Sequence, residues 1–309
     1  MFFFPYRLDV ALYRIPFFTV IVCLVCITTF LSQIRSSHTF HDRLSDYCAH
    51  ETSVELHAML NALRDEEFGH GCANVLLGIR EAGDKDAAIA RLANEGSLEF
   101  YRDRQQDVAY KQSLLHYGYD EFLTLVPKDL THKLAYRPDG YDVWAMLTSV
   151  FAHASWDHLI GNLIFFFIFA SCVECALGYA AFVGTIVLMA VVTSLAYAHS
   201  VAGGEALPTI GLSGIAMGMM ALLTTLLPRA KIWCFFWFFF FFRRFTLPVL
   251  LIALWHIGWN VYDLKHMQAG DNINYMAHVS GAALGITLGI LFRLFAPRRL
   301  DELEMAMGG

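Results

Sequence analysis

The chain has 309 residues, of which 57% are hydrophobic and only 16% charged, with 26 phenylalanines and a formal net charge of −6. Soluble domains hold about 45–50% apolar and about 25% charged residues, so this composition excludes an ordinary soluble globular protein and describes a membrane protein. A helix needs about 20 mainly apolar residues to cross about 30 Å of hydrocarbon. Six stretches qualify, 16–34, 158–177, 179–202, 206–227, 245–263 and 275–295, which predicts an all-α membrane protein.

Residues 1–15 carry Arg7 and Arg14 and read as a cytoplasmic N-terminus. The span at 16–34 lacks a small-x-small cleavage site and is long for the apolar core of a signal peptide, so it is read as uncleaved. Residues 36–142 follow as an extracytoplasmic block, acidic with 11 Lys+Arg against 19 Asp+Glu. Its apolar content is too high for disorder. An amphipathic helix is predicted over 75–93, and 114–134 offers another that Pro127 would break. The block therefore reads as a small helical subdomain. Cys48 and Cys72 lie within it, where an oxidising compartment would allow a bridge, with the pairing left open. His38, His41, His50, His57 and His70 crowd the same block without tight ligand spacing and read as solvated surface histidines.

The remaining spans make up a core at 143–296, followed by a tail at 297–309. Between the fourth and fifth spans lie Arg229, Lys231, Arg243 and Arg244 with no acid, and Arg293, Arg298 and Arg299 close the last span. Cationic short loops mark the cytoplasmic side, so both termini are expected there. The aromatic run 233–242 is too short to span and is expected to lie along the interface. Cys172-x-x-Cys175 falls within a span, beside Glu174, and reads as packing.

Polar side chains at membrane depth are costly and point to function. Ser213 sits in Gly211-x-Ser213-Gly214, where Pro208 and Gly211 allow a helix to start near the serine and aim its free N–H groups at a developing anion. A serine hydroxyl needs a neighbouring base, and His278 is the candidate. Gly281 and Gly285 follow the histidine at four-residue spacing, Gly214 and Gly218 repeat that rhythm beside the serine, and small-xxx-small faces let membrane helices approach closely. His158 and Asn162, four apart at the start of the second span, share a helical face as donors for an oxyanion. His153, Ser155 and Asp157 read as interfacial polar residues.

These motifs, His158-x-x-x-Asn162, Gly211-x-Ser213-Gly214-x-x-x-Gly218 and His278-x-x-Gly281-x-x-x-Gly285, resemble those of the rhomboid family of intramembrane serine proteases, from Tyr141 to about Phe295. The resemblance implies a six-helix bundle, and the long helical insertion read in the first loop departs from the family, where that loop is usually shorter. It also implies a Ser213 nucleophile, a His278 base, and oxyanion donors His158, Asn162 and the Ser213 N–H. Glu174 matches a structural acidic position. Expected partners are transmembrane protein substrates and the lipid bilayer of a cell inner membrane, with the site open to the extracytoplasmic side. No cofactor, metal or nucleic acid is expected. Met217 stands where many members carry an aromatic residue, Trp144-Ala145 where many have Trp-Arg, and no Asp or Glu is placed to orient His278. A non-catalytic relative that binds membrane helices is the alternative. A transporter is disfavoured because inverted repeats with matched broken helices are not visible.

Overall fold

The computed structural model describes residues 2–9, 14–65, 69–202, 207–238, 241–267, 271 and 273–296. The expected tail at 297–309, with Arg298 and Arg299, lies outside the described residues. The chain divides into two compact units, Ile34–Leu130 and Met1–Gln33 with Thr131–Gly309. The expected block at 36–142 thus has its last dozen residues in the second of these.

In the unit Ile34–Leu130, the C-terminal half of α1 (Phe17–Asp46) runs into a π-turn at Tyr47–Glu51 and then α2 (Val54–Ala62). Two short paired strands, β2 (Arg64–Asp65) and β3 (Gly69–His70), lead to α3 (Cys72–Glu81), α4 (Lys85–Glu95) and α5 (Arg104–Leu125). The helix expected over 75–93 is two helices. Gly83 interrupts it, and the Asp84 side chain caps the second by accepting from the Ala87 N–H at 3.0 Å. α5 ends ahead of Pro127, which cannot continue a helix. Leu56, Leu60, Leu76, Ile79, Leu92 and Phe122 form a buried core, and Cys48 is joined to Cys72 with Cα atoms 5.8 Å apart.

In the other unit, α6 (Leu130–Leu134) and α7 (Val143–Thr148) precede α8 (Trp156–Leu177), α9 (Tyr179–Ser200), α10 (Ser213–Leu226), α11 (Val249–Lys265) and α12 (Tyr275–Phe295). Among the described residues, four helices, α1, α8, α9 and α12, are long and apolar enough to cross a membrane, against six expected. α10 has 14 residues, about 21 Å of helix, because its helix begins only at Ser213, after the non-helical residues 207–212. Thr209 exchanges backbone hydrogen bonds with Tyr136, and Gly211, at φ +120°, donates its N–H to the Ser149 carbonyl. α11 has 17 residues, because 245–248 belongs to a strand.

That strand corrects the all-α expectation. β1 (Phe2–Leu8), β4 (Lys231–Phe238) and β5 (Phe241–Pro248) form an antiparallel sheet in the order β1-β4-β5. Of the aromatic run, residues 233–238 lie in β4 and 241–242 in β5, with Trp233 opposite Thr246 and Phe235 opposite Arg244. Aromatic and β-branched residues favour a pleated surface, and alternation is visible where Ile232 and Cys234 are buried while Lys231 is exposed.

Glu174 anchors the first span. Its buried carboxylate accepts from the Phe18 N–H at 2.8 Å, the Thr19 N–H at 2.7 Å and the Thr19 hydroxyl at 2.6 Å, satisfying free donors at the N-terminus of α1 with an anion where the helix dipole favours one. Cys172 and Cys175 are buried and outside the Cys48–Cys72 disulfide, and the Cys175 thiol donates to the Arg14 carbonyl at 3.4 Å.

Candidate active site

α10 and α12 approach backbone to backbone, and glycine is the reason. A Cβ on Gly281 would collide with the Gly214 carbonyl, one on Gly285 with the Gly218 carbonyl, and one on Gly289 would come within 2.6 Å of Thr225 Cβ. Backbone-to-backbone contact of this kind is open only to small residues. At the far end of the pair, Arg293 of α12 donates to the Thr225 and Leu226 carbonyls at 3.1 and 3.0 Å, satisfying acceptors that the end of α10 leaves free.

The same contact carries Ser213, the first residue of α10, to His278 in the first turn of α12. Ser213 Oγ and His278 Nε2 are 2.7 Å apart. α12 begins there because Asn274 caps it, accepting from the Ala277 N–H at 2.9 Å, while the Asn274 amide donates to Thr209 Oγ1 at 3.0 Å and ties the helix start to the segment before the serine. Ser213 lies in the first helical turn, where N–H groups have no intrahelical acceptor.

His158 and Asn162 come to the same place from α8. The Ser155 side chain caps this helix by accepting from the His158 N–H at 3.2 Å. A Cβ added to Gly211 would lie 2.8 Å from His158 Nε2 and 3.5 Å from Asn162 Nδ2, so both side chains border the glycine two residues before the serine. His158 Nδ1 accepts from the Ala154 N–H at 3.4 Å, which leaves the proton on Nε2. Asn162 Nδ2 is buried with no partner among the described residues. A cleft lined by Ser149, Thr193, Thr209, Gly211, Ser213 and Asn274 adjoins these groups.

Two further features were not read from the sequence. Asn260 on α11 accepts through Oδ1 from His278 Nδ1–H at 2.6 Å, so the histidine has an orienting partner that is neither Asp nor Glu. The only signal for it was an amide within an apolar segment. His153 is buried, not an interfacial polar residue. Its backbone N–H donates to Gln33 Oε1 at 3.1 Å and its carbonyl accepts from Gln33 Nε2 at 3.2 Å, while its ring meets that of His158 edge-on at 5.1 Å. Met217 is buried one turn along α10 from Ser213, and Trp144 is exposed.

An imidazole in hydrogen-bond reach of a serine hydroxyl can take its proton as the oxygen attacks, and donors facing the same point can hold an anion. A model of the rhomboid domain matches residues 141–295, half of the chain. The chain belongs to the rhomboid family. Its rhomboid domain is similar to that of the mouse presenilin-associated rhomboid-like protein, mitochondrial, at 28% identity over 146 residues, 46% of this chain and 36% of that protein. The human counterpart is 27% identical over the same length. Rhomboid-like protein 11, chloroplastic, of Arabidopsis thaliana is 26% identical over 186 residues, 55% of this chain and 60% of that protein. The match thus spans about a third of the length of the presenilin-associated rhomboid-like proteins.

Proposed function

We propose that this rhomboid is an intramembrane serine endopeptidase that hydrolyses peptide bonds in or near transmembrane segments of other membrane proteins. The observation that carries the reading is the 2.7 Å approach of Ser213 Oγ to His278 Nε2 across the α10–α12 contact. Ser213 Oγ attacks the scissile carbonyl as its proton passes to His278 Nε2. The oxyanion is met by the Ser213 N–H, His158 Nε2–H and Asn162 Nδ2–H. The imidazolium then gives its proton to the leaving amine, the C–N bond breaks, and water enters by the same base to release the acyl group.

Six membrane crossings are part of this proposal, with α10 and α11 crossing as short helices and 36–142 on the non-cytoplasmic side. The Cys48–Cys72 disulfide supports that side, since such bonds persist in oxidising compartments. The cationic link between α10 and α11 supports the opposite side for its own position. A cell inner membrane is the reading from sequence, while the relatives' names assign those proteins to mitochondria and chloroplasts.

A fluorophosphonate probe on the purified, detergent-solubilised protein tests the reading. Labelling should map to Ser213 and vanish in Ser213→Ala and His278→Ala, and both variants should lose cleavage of a model transmembrane substrate. The double variant should be scarcely worse than either, because residues acting as one unit are non-additive. Substantial cleavage by a folded Ser213→Ala protein would move the weight to a helix-binding relative that cuts nothing.

A further inference from the structure

Asn260 stands on α11, outside the motifs that align the chain with its family, and both ends of its amide are engaged. Nδ2 donates to the His256 carbonyl one turn earlier at 2.8 Å, which fixes which end of the amide is oxygen. Oδ1 is thereby turned to His278 Nδ1 at 2.6 Å. Nδ1 must then carry the ring proton, so that Nε2 presents its lone pair to the Ser213 hydroxyl at 2.7 Å. An amide that merely bonded back to its own helix would satisfy Nδ2 and leave Oδ1 undirected. Among the described residues, the aromatic ring paired with His278 is that of Tyr275, perpendicular at a centroid distance of 6.4 Å. Where an aromatic ring one turn after the serine would offer a flat face, this chain has Met217, whose flexible thioether cannot fix a ring plane in the same way.

We propose that Asn260 is the positioning residue of His278, selecting its tautomer and ring orientation in place of the aromatic support that Met217 lacks. The inference rests on the Ser213–His278 chemistry proposed above. In that chemistry the serine proton moves to Nε2 while Nδ1 keeps its own, and Asn260 neither gains nor loses a proton. The Nδ1–H···O bond becomes charge-assisted as the imidazolium forms and is therefore stronger in the transition state than at rest. A neutral amide achieves this without a second charge at membrane depth, where a carboxylate would be costly.

The test uses the full chain in detergent with a model transmembrane substrate. Asn260→Ala should lower kcat by on the order of 10–100-fold with KM little changed, as expected when a reacting group is misplaced by about an ångström. Fluorophosphonate labelling of Ser213 should slow in parallel. Adding Met217→Tyr to Asn260→Ala should recover part of the loss. Asn260→Asp, should the alanine variant fold poorly, should retain activity and move the acid limb of the pH–rate profile to higher pH, because an anionic partner favours the imidazolium. Folded Asn260 variants with unchanged kcat, labelling rate and pH profile would overturn the proposal, as would a rise in KM alone. Those results would leave the protease reading standing if Ser213→Ala is inactive. Cleavage by Ser213→Ala would instead remove the reading beneath both.

Discussion

Asn162, proposed above as an oxyanion donor, bears a cost in stability that such a role would explain. Leaving a buried amide donor unmade costs about 1–3 kcal/mol, and Asn162 Nδ2 is such a donor beside Gly211. A core residue under that penalty has no structural reason to be an amide, whereas a donor held ready for an anion does. Asn162→Ala should therefore leave the thermal unfolding temperature unchanged or raised while lowering cleavage on the order of 10- to 100-fold, less than Ser213→Ala, because His158 and the Ser213 N–H would remain. Asn162→Asp should be worse than alanine, since a carboxylate would face the developing oxyanion. Parallel loss of stability and activity in Asn162→Ala would make the residue a packing amide. Ser213, His278, His158 and Asn162 could be singled out in the sequence because they interrupt apolar runs at spacings with chemical meaning. Asn260 interrupts such a run as well, but its partner lies 18 residues away on another helix and no local pattern connects them.

Among the secondary structure elements, the glycine rhythm translates most directly into geometry, since four-residue spacing fixes a helix face and absent Cβ atoms fix how near the neighbour can come. Gly281 and Gly285 face backbone carbonyls of α10, which cannot rotate away as a side chain can. Gly281→Ala or Gly285→Ala should destabilise the protein by about 1–3 kcal/mol and part Ser213 from His278, abolishing probe labelling. Gly258→Ala on α11 meets nothing within 4 Å and should leave both intact, as melting curves and labelling gels of the three variants would report. Equal tolerance at all three sites would show that this contact does not set the site. The sheet was harder to read. Its aromatic run has no polar alternation for a period-2 reading, and β1 pairs with β4 from more than 200 residues away. The helix-length expectation for 206–227 failed for a related reason. Hydropathy registers apolar residues but not backbone form, and Thr209 and Gly211 are held out of the helix by hydrogen bonds to Tyr136 and Ser149.

At the scale of the whole molecule, the unit Ile34–Leu130 has its own core, disulfide and buried ion pair. Lys111 Nζ lies 2.7 Å from Asp107 Oδ2, both side chains are buried, and the Asp107 carboxylate also accepts the Phe100 and Tyr101 N–H groups at 2.6 and 3.0 Å. Lys111 foremost, then these N–H groups, hold the Asp107 carboxyl below its ordinary range against the opposing effect of burial. A carboxyl depressed on folding contributes stability that is fully present above its unfolded value, about 3.9, and is lost as pH falls through the lower folded value. Acid should therefore loosen this unit below about pH 4, and Asp107→Asn should weaken it at neutral pH while flattening that acid response. Removing the Cys48–Cys72 link, which closes a span of 24 residues, should cost about 3 kcal/mol more through the freedom returned to the unfolded chain. Hydrogen exchange followed by mass spectrometry resolves these effects on α3 and α5, separately from α10 and α12. At neutral pH, reduction should raise exchange in α3 and α5 while fluorophosphonate labelling of Ser213 continues, because the unit supplies none of the groups proposed for the chemistry. Loss of labelling with unchanged exchange in α10 and α12 would instead make this unit part of the catalytic apparatus.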